Sequence, residues 1–157
     1  MNRHHQTMHI GLTGPMATGK GEIVRMAVEL GFRTISLSDM VHAEGKRRYG
    51  TPSRQQLQDT GNDLRRQGGP GVLGKMVADE IESQPPCLWL IDSIRNPAEV
   101  IELRRLNPFF LLGVDTDRRI LLQRLRDRRR SDDLADEAEL QRRLDREWGI
   151  GEPESGQ

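Results

Sequence analysis

Between the short apolar run His9-Ile10-Gly11-Leu12-Thr13 and a segment of helical periodicity stands Gly14-Pro15-Met16-Ala17-Thr18-Gly19-Lys20-Gly21. Its spacing is G-x-x-x-x-G-K, and it constrains the fold more than any other stretch of the chain. Successive backbone N–H groups must turn inward there to make an anion nest, which glycine permits. A helix following the loop presents its positive end to the same anion. Lys20 adds a mobile cation suited to β and γ phosphates. An ordinary Gly/Pro turn is the competing reading. The strand before the loop and the helix after it favour a P-loop that holds the phosphates of ATP or a close relative.

The rest of the chain supplies the alternation that such a loop needs. Ile23, Val24, Ala27 and Leu30 recur at helical spacing, with Gly31 as the stop. Thr34–Leu37 reads as a second strand, and 38–83 as helical with breaks at Gly50-Thr51-Pro52 and Gly68-Gly69-Pro70-Gly71. Cys87–Asp92 is an unbroken apolar run ending in an acid, the pattern of a buried strand. Pro97 opens a helix through Leu106, Phe109–Val114 reads as a further buried strand, and Arg118–Arg128 as a helix. A charged helix over Asp136–Trp148 precedes the tail Gly149–Gln157. Strands alternating with helices predict a mainly parallel sheet covered on both faces. The expected architecture is a P-loop NTPase three-layer α/β sandwich with a helical acceptor-binding insertion. Four strands are readable and no closing strand follows, so a truncated chain is expected.

Composition narrows the class further. With 157 residues the chain holds one domain, 1–157. A hydrophobic share of 34% against 31% charged residues would suit partial disorder, but the charges are interleaved with apolar residues at helical spacing. The formal net charge is zero, so no global field draws the chain to nucleic acid or to an anionic membrane. Cys87 is the single cysteine, which excludes an intrachain disulfide and suits a reducing cytosol. No apolar run approaches the roughly 18 residues of a membrane span. The polar, His-bearing start Met1–Met8 lacks the core of a signal peptide, so a cytoplasmic location is expected. His4, His5 and His9 have no metal-ligand spacing with acids or cysteines.

A second element falls where the loop requires it. Asp92 ends Leu88-Trp89-Leu90-Ile91 in the manner of a Walker B acid, which helps to place magnesium beside the phosphates through water. Helix capping or a surface turn is the alternative for Asp92. Arg95 follows in the loop at the carboxyl edge of the sheet, where ligands bind, or else is a solvated surface arginine. The Ser/Thr that usually follows the P-loop lysine is Gly21 here, and Glu22 comes next. Glu22 either caps the helix or holds a magnesium-bound water.

With these elements together, the sequence resembles nucleoside monophosphate kinases of the adenylate kinase and dephospho-CoA kinase group. It is most similar to a poorly characterised archaeal-type family of kinase-like ATPases. That resemblance runs through Gly14–Glu22, Ile35-Ser36-Leu37-Ser38-Asp39-Met40 and Gly61-Asn62-Asp63-Leu64-Arg65 with Gly69-Pro70-Gly71. It continues through Ile91-Asp92-Ser93-Ile94-Arg95 and the basic cluster Arg124–Asp133, and spans about Ile10 to Gly151. In that family Glu after G-K-G is usual, and the chain continues into another strand. The resemblance implies that Asp39 positions the acceptor or a magnesium-bound water, and that Arg65 and Arg95 hold the acceptor monophosphate. It implies a lid over about residues 124–135, in which Arg124, Arg128 and Arg129 close over the transferring group. Which of the lid arginines face the site stays open, with i, i+4 spacing favouring Arg124 and Arg128; a solvated helix end is the alternative for the whole run.

The implied activity is a kinase that uses ATP and Mg2+ to phosphorylate a nucleoside or deoxynucleoside monophosphate. Its acceptor would bind the insertion, about residues 38–83, which moves on closure. A dephospho-CoA-like acceptor is the first rival, although that group has two acids after the second strand and Leu37 occupies the first of those positions. A regulatory ATPase without an acceptor is the second, favoured by Gly21 and opposed by the acceptor-side arginines. Tyr49 as a base-stacking residue has no supporting motif.

Overall fold

The carboxyl ends of four parallel strands are gathered at one edge of the molecule, and the order of those strands fixes where a ligand can bind. The computed structural model describes residues 7–127 together with 141, 142 and 145. Along the chain run β1 (Met8–Thr13), α1 (Lys20–Glu29), β2 (Arg33–Ser36), α2 (Leu37–Tyr49), α3 (Arg54–Gly68) and α4 (Val72–Glu82). They are followed by β3 (Leu88–Ile94), α5 (Pro97–Leu103), β4 (Phe109–Gly113) and α6 (Arg118–Asp127). The sheet order is β2-β3-β1-β4, and every strand pair is parallel. Parallel neighbours require long crossovers, which the helices provide.

Two cores lie on the two faces of the sheet. On one, Leu37, Leu73, Val77 and Ile81 pack with Trp89, Ile91, Ile94 and Leu103. On the other, Leu12 and Leu90 pack with Ala27, and Ile23, Val24 and Phe32 close around them. The three layers expected from the alternation of strands and helices are therefore present. Each fully buried Leu or Ile in them contributes about 1.5–3 kcal/mol. Because the helix after β1 covers one face and the helix after β3 covers the other, the chain departs in opposite directions above these adjacent strands. That divergence opens a crevice at their carboxyl ends.

The β1–β3 pairing contains an irregularity at this point. Gly11 pairs with Ile91 but Thr13 pairs with Ile94, so Asp92 and Ser93 together oppose Leu12 alone. This is a β-bulge. Ser93 takes φ 65°, in the left-handed region. The bulge resets the alternation: Trp89 and Ile91 face one core, Leu90 the other, and Ile94 returns to the side of Trp89 and Ile91. There it lies against Gly11, where a Cβ would be 2.7 Å from Ile94 Cδ1 and from Phe109 Cζ.

Several expectations need correction. The second strand stops at Ser36, and Leu37 opens α2, because Ser36 is an N-cap whose hydroxyl accepts from Ser38 N–H at 3.2 Å. The third strand does not end at its acid but runs on to Ile94 through the bulge. The helix from Pro97 is shorter than its apolar pattern, ending at Leu103. Phe109–Gly113 is not a buried strand: β4 is at the edge of the sheet, with Phe110, Leu111 and Leu112 57%, 43% and 44% exposed. A continuous apolar run does not distinguish an edge strand from a central one. The 38–83 region is helical with the two expected breaks, as α2, α3 and α4. The expected helix Asp136–Trp148 lies almost wholly outside the described residues, and the tail lies entirely outside them.

Candidate phosphate-binding site

The loop between β1 and α1 has the backbone that the motif demands. Gly14, Ala17 and Gly19 take φ of 141°, 62° and 103°. At Gly14 a side chain is excluded twice, by this dihedral and because its Cβ would collide with the Val114 carbonyl oxygen. Gly19 is the N-cap of α1, and no side chain caps that helix end. Thr18 is buried and donates to the Pro15 carbonyl at 2.9 Å, bracing the turn from within. Lys20 folds back on the loop, its Nζ donating to the carbonyls of Gly14 at 2.5 Å and Pro15 at 2.6 Å. Beneath, Ala17 and Leu121 form a small core with Met16, Leu122 and Leu125, which docks α6 on the loop.

A cleft of about 250 Å³ opens at the crevice. The loop lines one side through Gly14, Ala17 and Lys20, and the other is lined by Asp92 and Ser93 from the end of β3 and by Arg95 just after it. Strand order explains the meeting, since β1 and β3 are direct neighbours. Asp92 Oδ1 is buried with no hydrogen-bond partner among the described residues. A buried carboxylate oxygen without a donor is costly, and a ligand or metal-bound water in the cleft would relieve it. The described residues contain no group of three or more His, Cys, Asp or Glu able to hold a metal. A magnesium ion would therefore rest on nucleotide phosphates and water, with Asp92 as the carboxylate beside it, and the residues present fit that arrangement.

The other expected site residues fall in three places. Arg124 reaches the loop, donating from Nη1 to the Ala17 carbonyl at 3.0 Å. Glu22 lies in the first turn of α1 but is 74% exposed and pairs with Arg25 at 3.1 Å. Asp39 and Arg65 are not cleft-lining residues. Asp39 caps α2, accepting from Ser36 N–H at 2.9 Å. Arg65 points across to α5, with Nη2 3.8 Å from Glu99 Oε1. The expected lid is described only as far as Asp127, at the end of α6; Arg128, Arg129 and the rest to 135 lie outside the described residues.

Comparison with known proteins gives this geometry its context. The family described as "AAA domain" matches residues 13–141. A UPF0200 protein of Methanothermobacter thermautotrophicus is 34% identical over 143 residues, covering 90% of this chain and 73% of that protein. The chain belongs to the UPF0200 family. A second member, from Methanoregula boonei, is also 34% identical, over 90% of this chain and 80% of its own length. Among solved structures, a shikimate kinase from Acinetobacter baumannii in complex with shikimate superposes with TM-score 0.53 at 18% identity, covering 96% of this chain and 79% of its own. The UPF0200 chain thus has a P-loop kinase-like fold, as its resemblance implied.

Two groups in this UPF0200 protein were not marked by the sequence reading. Ser36 Oγ donates to Ser93 Oγ at 2.9 Å, joining the end of β2 to the bulge in the cleft wall. Glu99 is 1% exposed, and its carboxylate accepts two backbone N–H groups of the Arg95 loop. The Asn96-x-x-Glu99 spacing after a strand is a readable capping box. Its complete burial is not readable, because it depends on α4 packing against α5.

Proposed function

We propose that this chain transfers the γ-phosphoryl group of ATP to a nucleoside or deoxynucleoside monophosphate. One observation carries the reading: the phosphate loop with Lys20 faces Asp92 and Arg95 across a single cleft, so donor-side and acceptor-side groups share one space. The loop N–H groups and Lys20 would hold the ATP phosphates, and Asp92 would orient the metal's water shell. Magnesium, when bound beside Asp92, would supply neutralisation of the phosphate charge. Arg95, with an exposed side chain at the rim, suits the acceptor phosphate, and Arg65 would join it when the helical insertion, about residues 38–83, closes. Arg124, already on the loop, would shield the transferring group together with Arg128 from the lid. Asp39 serves the acceptor side from the first turn of α2. The single cysteine suits work in a reducing cytosol.

The test is a panel of ribo- and deoxynucleoside monophosphates, with dephospho-CoA included, incubated with ATP and magnesium while labelled γ-phosphate is followed. Transfer to one or a few monophosphates is the expected result. Transfer to dephospho-CoA alone would keep the kinase and change its acceptor. Label released only as orthophosphate, from a chain that binds ATP, would replace the kinase with a regulatory ATPase.

A further inference from the structure

Glu99 has no part in the scheme above, yet its placement is difficult to explain by helix capping alone. It is the N3 residue of α5, and its Oε2 accepts from the N–H groups of Arg95 at 2.9 Å and Asn96 at 3.1 Å. A neutral amide oxygen does the same work elsewhere in this chain. Gln56, the N3 residue of α3, accepts from Ser53 N–H at 2.8 Å in its own capping box. Capping therefore accounts for an oxygen at position 99 and leaves the charge unexplained. Glu99 is 1% exposed, and a buried carboxylate is retained only where something offsets its desolvation.

The charge faces the helical insertion. Arg65 of α3 brings Nη2 to 3.8 Å from Glu99 Oε1, an ion-pair separation longer than a hydrogen bond. Arg65 Nε is buried and has no hydrogen-bond partner among the described residues. The helix that follows α3 is seated tightly on the same turn of α5. A Cβ on Gly74 would lie 2.6 Å from the Glu99 carbonyl oxygen, and one on Gly71 would lie 2.8 Å from that of Ala98. One oxygen of Glu99 thus fixes the backbone that carries Arg95 at the cleft, while the other holds the guanidinium of Arg65.

We infer that Glu99 is a positioning residue that sets Arg95 and Arg65 in register for one acceptor phosphate, coupling the insertion to the cleft rim. The inference rests on the phosphoryl-transfer reading and deepens it, by naming the group that holds the acceptor-side arginines together. Glu99→Gln is the informative variant because it keeps the cap and removes the charge. With the best acceptor of the panel, E99Q is expected to raise the acceptor KM about tenfold while the ATP KM stays within about twofold. In an R65Q background the same substitution is expected to add nothing further, since its effect passes through Arg65. An unchanged acceptor KM, an equal rise for ATP, or additive effects of E99Q and R65Q would each overturn the inference. Should E99Q fail to fold, Glu99→Asp decides, because its shorter carboxylate is drawn back from Arg65: a raised acceptor KM with the ATP KM unchanged supports the assignment, and an unchanged acceptor KM overturns it. A wild-type chain that phosphorylates no acceptor defeats the phosphoryl-transfer reading and Glu99's role with it. A wild type that turns over, beside an E99Q that matches it, defeats the Glu99 inference alone.

Discussion

Arg95 illustrates how one residue can have its backbone and side chain committed to different tasks. Its N–H is held by the Glu99 carboxylate, whereas its side chain lines the cleft. Replacing the side chain should therefore leave the loop in place. Arg95→Ala is expected to abolish acceptor turnover while ATP affinity, read by calorimetry, stays within about twofold. Equal loss of ATP binding would remove Arg95 from the acceptor side. At this scale the sequence was legible where chemistry follows from spacing alone. Gly14–Lys20 and Asp92 could be found without coordinates because a phosphate nest and its neighbouring acid have local signatures. Arg65 and Glu99 could not be joined, since 34 positions of chain, from 65 to 99, separate them and only the packing of α4 on α5 brings them together. Asp39 was read for its charge, and the structure shows that one of its oxygens is used in capping α2.

Helix α2 meets α3, and α4 meets α5, through glycines that differ in their neighbours, and this difference can be measured. A Cβ on Gly74 would meet the backbone of Glu99, its oxygen at 2.6 Å and its Cα at 2.8 Å, and neither can move without shifting α5. A Cβ on Gly61 would meet the end of Arg65 at 3.4 Å and Val41 Cγ2 at 3.6 Å, and a small rotation clears both. Gly74→Ala is expected to cost about 1–3 kcal/mol in urea unfolding, as overpacking does. Gly61→Ala is expected to be neutral or to gain up to about 1 kcal/mol from helix propensity. A Gly74→Ala as stable as wild type would contradict the tight α4–α5 contact. Between α2 and α3, Glu44 accepts from Arg47 and Arg48 at 2.7 Å, and Arg48 continues to Asp63 at 3.0 Å. The hydrogen bond from Arg47 first, and that from Arg48 second, pull the Glu44 carboxyl down to about 2 from 4.5. Its folded value being the lower one, this pairing contributes fully above pH 4.5 and is lost as pH falls through about 2. The effect is reduced by solvent screening, because Arg47 is 72% exposed. Across that window E44Q is expected to show a shallower fall in thermal stability than wild type, and parallel curves would count against the assignment. The helical period of these segments was readable from sequence, but the exposed edge of β4 was not. An apolar run such as Phe109–Gly113 reads alike whether a neighbour covers it or solvent does.

For the whole molecule, the order β2-β3-β1-β4 makes the cleft a property of the sheet and not of any one loop. A ligand bound there touches both β1 and β3 ends, so its binding energy should be felt by the entire fold. ATP at about 100 times its Kd would stabilise the native state by ~2.7 kcal/mol. For a chain of this size that is a rise of about 5–11 °C in Tm. With magnesium chelated the shift should shrink without vanishing, since in the proposed scheme loop N–H groups and Lys20 hold the phosphates directly. A shift wholly dependent on the metal would argue that the chain's own donors are minor. The bulge at Asp92-Ser93 has a consequence for how this molecule can vary in length. Up to Ile91 the strand has odd positions toward the larger core; at Ile94, its last residue, an even position faces that core, because the bulge absorbs one residue. A substitution at Ser93 would change one side chain, and deleting it would leave Ile94 on the larger core, two places after Ile91 in plain alternation. The sheet and its core could survive that deletion in regular register, while the cleft would lose the wall residue that ties the end of β2 to it.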